Sequence, residues 1–200
     1  MNKDDVIIHY DTLIDLNNDP VHDPEPLKEY MDKWDGDFFL EKLNFQDKDT
    51  VLEIGVGTGR LAVRVAPYCH KFYGIDISPK TIARATENLS LYPNCALIRG
   101  DFLDYLFENT FHVIYSSLTF MHIENKLSAI QKVFSLLTRP GRFVLSIDKN
   151  QDGYIDIGVC KTKVFPDNSE QIMNCLKIAG FSLVQQYERE FSYIFVADIE

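Results

Sequence analysis

The chain has no closely spaced cysteine pair, no run of basic residues, no internal repeat and no apolar stretch long enough to cross a bilayer. Its four cysteines, Cys69, Cys95, Cys160 and Cys175, are scattered without a CxxC spacing, which leaves neither a dithiol redox motif nor a zinc-ligand set. No metal is expected. Isolated thiols fit a reducing, cytoplasmic setting. The opening MNKDDVIIHYDTL lacks the apolar core of a signal peptide, and no later segment supplies a membrane span. Thirty acidic against 20 basic residues give a net charge of −10, so the basic footprint of a nucleic-acid binder is missing. Neither nucleic acid nor membrane is therefore expected as a partner. What is there is 200 residues, 46% hydrophobic and 25% charged, enough for one domain with a substantial core. The oligomeric state is not legible.

Residues 1–45 differ from the rest. NNDPVHDPEP concentrates prolines and carboxylates between HYDTLIDL and LKEYMDKWDGDFFLEKL, and the second flank repeats apolar residues at helical spacing (Leu27, Tyr30, Met31, Trp34, Phe38). A short helical cap over residues 1–45, part of the same domain as 46–200, is expected. From Thr50 onward strands and helices alternate. VLEIG, KFYGIDI, CALIRGD, FHVIYSSL and RFVLSID read as apolar strands. Between them lie helical faces made by Leu61, Ala62, Val65 and Ala66, by Ile82, Ala85 and Leu89 after Ser78-Pro79, and by Leu127, Ile130, Phe134 and Leu137. A last helix carrying Ile172, Leu176 and Ala179 ends at Gly180, and FSLVQQYE and FSYIFVAD close the chain as two strands. This order predicts an α/β fold: a doubly wound, mostly parallel seven-stranded sheet with an antiparallel C-terminal strand, its ligand at the carboxyl ends of the strands.

The segment EIGVGTGRLA joins the first strand to the first helix of that pattern. A P-loop needs Lys and then Ser or Thr after its last glycine; here Arg60-Leu61 follows Gly59. The dinucleotide fingerprint GxGxxG is also broken, because the glycines stand at 55, 57 and 59. Glu53, two positions before the first glycine, would repel a pyrophosphate and attract an ammonium or sulfonium group.

Glu53-x-Gly55-x-Gly57-x-Gly59 resembles motif I of the class I S-adenosylmethionine-dependent methyltransferases. The resemblance continues in order: Asp76 in YGIDIS, Asp101-Phe102 in IRGDFLD, YSSLTFMHI after the fourth strand, and LLTRPGRFVLSID. It covers roughly residues 45–148 and the terminal strand pair. The family carries a Rossmann-like sheet, binds S-adenosyl-L-methionine and transfers its methyl group, here to a small-molecule acceptor.

On that resemblance, the backbone of Gly55, Val56, Gly57, Thr58 and Gly59 approaches the methionine part of the cofactor. Glu53 holds its amino group, and Asp76 accepts from both ribose hydroxyls. Asp101 takes the adenine amino group, Ile77 and Phe102 its ring faces, and Ser116 or Ser117 the floor near the sulfonium; Gly100 is counted with the cofactor-binding residues. His122 is the candidate general base, against the more ordinary reading of a packing or capping histidine. Tyr10, Tyr30 and Trp34 are the candidate lid or acceptor contacts. Each carboxylate also has a bland alternative: Asp76 as a helix cap, Asp101 as a turn residue. After the fourth strand there is no Asn-Pro-Pro-Tyr-like motif, which speaks against amino-group methylation of adenine, cytosine or glutamine in the manner of relatives that carry one.

A second motif competes for attention. DKNQDGYIDI, residues 148–157, resembles the start of a calcium loop, with Asp148, Asn150 and Asp152 at alternate positions and Gly153 next. Its twelfth position is Val159 rather than the bidentate Glu, so an ordinary polar turn is expected, and whether residues 148–156 bind a cation is left open. Two other functions remain: a non-catalytic S-adenosylmethionine-binding regulator or partner, and an NAD(P)-dependent oxidoreductase on a related sheet.

Overall fold

The computed structural model describes residues 3–200, so the first two positions of the expected cap lie outside the described residues. The helical pieces come first: α1 (Lys3–Asp15), α2 (Glu25–Asp35) and α3 (Asp37–Leu43). Alternation then begins with β1 (Thr50–Ile54), α4 (Ala62–Val65), β2 (Lys71–Asp76), α5 (Pro79–Asn88), β3 (Cys95–Arg99) and β4 (Phe111–Ser117). It continues through α6 (Lys126–Leu136), β5 (Leu137–Asp148), β6 (Tyr154–Asp156), β7 (Lys161–Lys163), α7 (Ser169–Ala179), β8 (Leu183–Glu188) and β9 (Ser192–Ile199).

Seven strands form one sheet in the order β3-β2-β1-β4-β5-β9-β8. The pairs β1–β2, β1–β4, β2–β3 and β4–β5 are parallel, and β9 runs antiparallel to both β5 and β8. The expected architecture is borne out, including the single antiparallel strand. Strand order reverses between β1 and β4, which opens a crevice at their carboxyl ends. Side-chain alternation along each strand divides the core in two. Leu52, Ile54, Ile114, Phe143 and Leu145 face α6 and α7, whereas Val51, Val113, Tyr115 and Val144 face α3 and α4. Each fully buried large side chain contributes roughly 1.5–3 kcal/mol of transfer free energy.

Three local details depart from expectation. The helix through Leu61, Ala62, Val65 and Ala66 is only α4 and a 3-10 turn, Ala66–Tyr68, because Pro67 removes the next backbone donor. Leu137 does not belong to α6; it opens β5 and pairs with Phe111. The hairpin of β6 and β7 was not foreseen, since strands of three residues leave no periodic signal. Among the described residues no helix is long and apolar enough to cross a membrane.

Candidate active site

At the switch between β1 and β4 the structure holds a cavity of about 480 Å³. The loop after β1 forms its floor. Gly55 and Val56 donate to the Ile75 carbonyl (2.9 and 3.1 Å), which folds this loop over the end of β2. A Cβ on Gly55 would fall 2.0 Å from the Thr119 hydroxyl, so only glycine lets the loops after β1 and β4 touch. Gly57, at φ +57°, is different: a Cβ there would meet nothing within 4 Å. Its bare backbone faces open cavity, and its N–H donates to Asp76 Oδ2 at 3.1 Å.

Two carboxylates flank this loop, Glu53 at the end of β1 and Asp76 at the end of β2. Glu53 is 3% exposed and lies opposite Tyr115 in the β1–β4 register; the Tyr115 hydroxyl donates to its Oε2 at 2.8 Å. Burial pushes the Glu53 carboxyl up to about 8, against the Tyr115 bond and the nearby Arg60 charge. Asp76 is raised by burial too, while the amides of Ser78 and Gly57 oppose that shift. The helix-cap alternative for Asp76 fails, because Ser78 caps α5 by accepting from Thr81 N–H at 3.0 Å. Asp101 does serve its turn, accepting from Leu103 N–H at 2.7 Å, but its other oxygen faces Lys3 Nζ at 3.0 Å.

Of the residues singled out in the sequence, Glu53, Gly55, Val56, Gly57, Thr58, Asp76, Ile77, Gly100, Asp101, Phe102, Ser117, Tyr10 and His122 line the cavity. Four do not. Gly59 turns the chain into α4 behind the floor, its N–H bonded to the Val56 carbonyl. Ser116 is fully buried, donating to the Ile54 carbonyl at 2.8 Å. Tyr30 and Trp34 pack with Phe191 instead, Trp34 at 4.7 Å between ring centroids, and Tyr30 is 48% exposed. Met31 is the residue of that helix that reaches the cavity.

Two connections escaped the sequence reading. Arg60 pairs at 2.5 Å with Asp35, a buried side chain at the end of α2, and Ser117 donates to the same Asp35 oxygen. The arginine after the third glycine was a signal, although it served only to exclude a P-loop. On the other side, Tyr10 of α1 shares a 2.7 Å hydrogen bond with His122 Nε2, in the turn after β4. Burial pushes His122 down to about 4, helped by His9 and Lys126. In the calcium-loop lookalike, Asp148 accepts from the Asn150 N–H at 2.9 Å, an ordinary polar turn leading into β6. Among the described residues no three His, Cys, Asp or Glu side chains converge as a metal would require.

The sequence profile described as "Methyltransferase domain" matches residues 45–196. The chain belongs to the methyltransferase family. An uncharacterized methyltransferase of Bacillus cytotoxicus is 36% identical over 119 residues, 58% of this chain and 55% of that protein. Another uncharacterized methyltransferase, from Anoxybacillus flavithermus, is 31% identical over 152 residues, 72% of this chain and 70% of that one. The chain thus spans little more than half the length of the first of these relatives. A crystal structure titled as a putative S-adenosylmethionine-dependent methyltransferase from Listeria monocytogenes superposes with a TM-score of 0.72 at 18% identity, over 80% of this chain and 95% of that one. The resemblance read from Glu53, the glycine loop and Asp76 is therefore borne out at the level of family and fold.

Proposed function

We propose that this methyltransferase uses S-adenosyl-L-methionine to methylate a small-molecule acceptor. The observation that carries the reading is the pair of carboxylates, Glu53 and Asp76, on either side of the uncovered Gly57 backbone. The residues fit such a cofactor. Glu53 is a buried carboxyl with no cation bonded to it, because the nearby Arg60 is committed to Asp35, and an ammonium group would fill that role. Asp76, at the end of β2 and lining the cavity, would accept from a pair of ribose hydroxyls, the task an acidic residue performs in related nucleotide sites. Asp101, Gly100, Ile77 and Phe102 would receive the adenine, and the backbone from Gly55 to Thr58 the methionine chain. Ser117 would face the sulfonium end.

S-adenosylmethionine, when bound, supplies an electrophilic methyl group on a sulfonium. The protein's part is alignment and exclusion of water. For the second task α1 lies over the cavity, fastened by Lys3 to Asp101 (3.0 Å), by Ser78 Oγ donating to Asp11 (2.6 Å) and by Lys80 to Asp15 (2.6 Å). That cover supports the reading of a small-molecule acceptor. The four free cysteines support a reducing, cytoplasmic setting.

Calorimetric titration with S-adenosylhomocysteine and, separately, NADH tests the proposal. The expected result is micromolar binding of the first and none of the second. Binding of NADH alone would count against the S-adenosylmethionine reading and put the oxidoreductase alternative first. Tight S-adenosylhomocysteine binding with no methyl transfer to any acceptor class would instead favour the non-catalytic regulator.

A further inference from the structure

Beyond the glycine loop the cavity changes character. Four apolar side chains line it from separate stretches of chain: Val6 of α1, Met31 of α2, Leu118 after β4 and Phe165 between β7 and α7. None of the four packs into either half of the core. Val6 is buried, but Met31, Leu118 and Phe165 line the cavity with side chains that are only partly buried. Apolar surface drawn together from distant segments, with no core to fill, is surface kept for a ligand.

The neighbours of these residues fix which end they wall. Met31 lies one helical turn before Asp35, which accepts from Ser117 and pairs with Arg60. Phe165 is tied to the turn after β4, its N–H donating to the Met121 carbonyl at 2.8 Å. Its own carbonyl accepts from Lys126 Nζ at 2.9 Å, and Lys126 is paired at 2.7 Å with Asp167, both side chains being buried. The buried ion pair thus fastens the segment after β7 against the turn after β4. Leu118 is the most telling member. Its φ is +53°, a left-handed conformation that is strained for a bulky side chain. A leucine held in that state, at a cavity and outside the core, points to a contact that the fold maintains at a cost in stability.

We propose that Leu118, Met31 and Phe165 are specificity-determining contacts for the methyl acceptor, and that the acceptor is a hydrophobic small molecule whose alkyl or aryl body lies against them. The proposal rests on the methyl-transfer reading above, in which the sulfonium end lies at Ser117, the residue before Leu118. The polar side chains beside them are already engaged: Ser117 donates to Asp35, and Thr119 to the Ser117 carbonyl. A sugar would have to leave hydroxyls against apolar walls, whereas a hydrocarbon body gains free energy with each methylene it buries. These three residues touch no reacting atom. Their part is to decide which molecule is held at the sulfonium.

The test uses the full chain, labelled with carbon-13 at its methionine methyls and saturated with S-adenosylhomocysteine. NMR follows the Met31 methyl, assigned through Met31→Leu, as 1-butanol, 1-pentanol, 1-hexanol, 1-heptanol or 1,6-hexanediol is added. The Met31 resonance should shift, with affinity rising about three- to fourfold for each methylene. The diol, which has the heavy-atom count of 1-heptanol but a second hydroxyl to bury, should bind at least about tenfold more weakly than 1-heptanol. Phe165→Ala and Leu118→Gly should each flatten the dependence on chain length while changing S-adenosylhomocysteine affinity by less than about twofold. Leu118→Gly should also melt within about 2 °C of wild type, because relief of the strained backbone offsets the lost side chain and the freer unfolded chain. Affinity that does not depend on chain length, a diol as tight as 1-heptanol, an unmoved Met31 resonance, or a dependence preserved in both variants would overturn the proposal. So would a Leu118→Gly chain that melts more than about 5 °C lower, which would make Leu118 a packing residue. Failure of folded wild-type chain to bind S-adenosylhomocysteine would overturn the underlying reading instead.

Discussion

The wall made by the loops after β1, β2 and β3 and the wall made by α1, α2 and the turn after β4 enclose the same cavity but are held by different physics. The first is mostly backbone. Its shape follows from the parallel register of adjacent strands, from the amides of Gly55 and Val56 on Ile75, and from Gly57 on Asp76. Even the interior of β2 takes part, since a Cβ at Gly74 would come within 2.8 Å of Val56 and lift the loop. The second wall is side chains reaching across long sequence distances: Ser117 to Asp35, 82 residues apart, and Tyr10 to His122, 112 apart. A wall of backbone is fixed as soon as the sheet forms, and it suits an unvarying ligand. Side chains from separate helices can be exchanged singly, which suits the part of a site that distinguishes acceptors.

The contrast can be broken most severely at Asp35. Replacing it with Ala leaves the largely buried Arg60 guanidinium with only its longer contact to Asp32 (3.8 Å), and loss of the close partner of such a pair costs about 3–5 kcal/mol. Asp35→Ala should lower the thermal midpoint by well over 5 °C in a melting experiment, with a smaller loss in the double variant that also carries Arg60→Met. On the backbone wall, Asp76→Ala should weaken S-adenosylhomocysteine at least about 100-fold, the worth of hydrogen bonds to a charged group, and lower the midpoint by less than Asp35→Ala, because the Gly57 and Ser78 amides lose their acceptor.

Glu53 sharpens the comparison through protons. In the free chain its carboxyl titrates at about 8 and is mostly protonated at pH 7; a bound ammonium would lower that value. Binding near neutrality should then release up to one proton, and affinity should rise with pH until about pH 8 and level off above it. Calorimetry in phosphate and in Tris measures that proton directly. Glu53→Gln should abolish the release and cost about tenfold in affinity. The smallest effect is expected at Tyr30: its ring packs on Trp34 and Phe191 outside the cavity, so Tyr30→Ala should change S-adenosylhomocysteine affinity by less than about twofold.

The same division decides what could be read in advance. Strand ends, glycine spacing and an acidic residue after β2 are local patterns, so the sheet and the residues of the first wall were legible. Helical periodicity in α2 grouped Tyr30, Met31 and Trp34 but gave no indication of what that face meets; only Met31 reaches the cavity. Arg60 to Asp35 and Tyr10 to His122 are tertiary contacts, and no spacing rule encodes them. Ser116 and Ser117 are neighbours in one strand, so period-two alternation sends them to opposite sides, one bonded to Ile54 and the other facing the cavity. The sequence alone could not say which was which.

The most direct test of the central claim is a crystal structure of the chain with S-adenosylhomocysteine. The account predicts the ligand across the Gly57 backbone, its ribose hydroxyls on Asp76, its amino group toward Glu53 and its sulfur toward the end that carries His122. A ligand bound in the reverse sense, or outside this cavity, would contradict it.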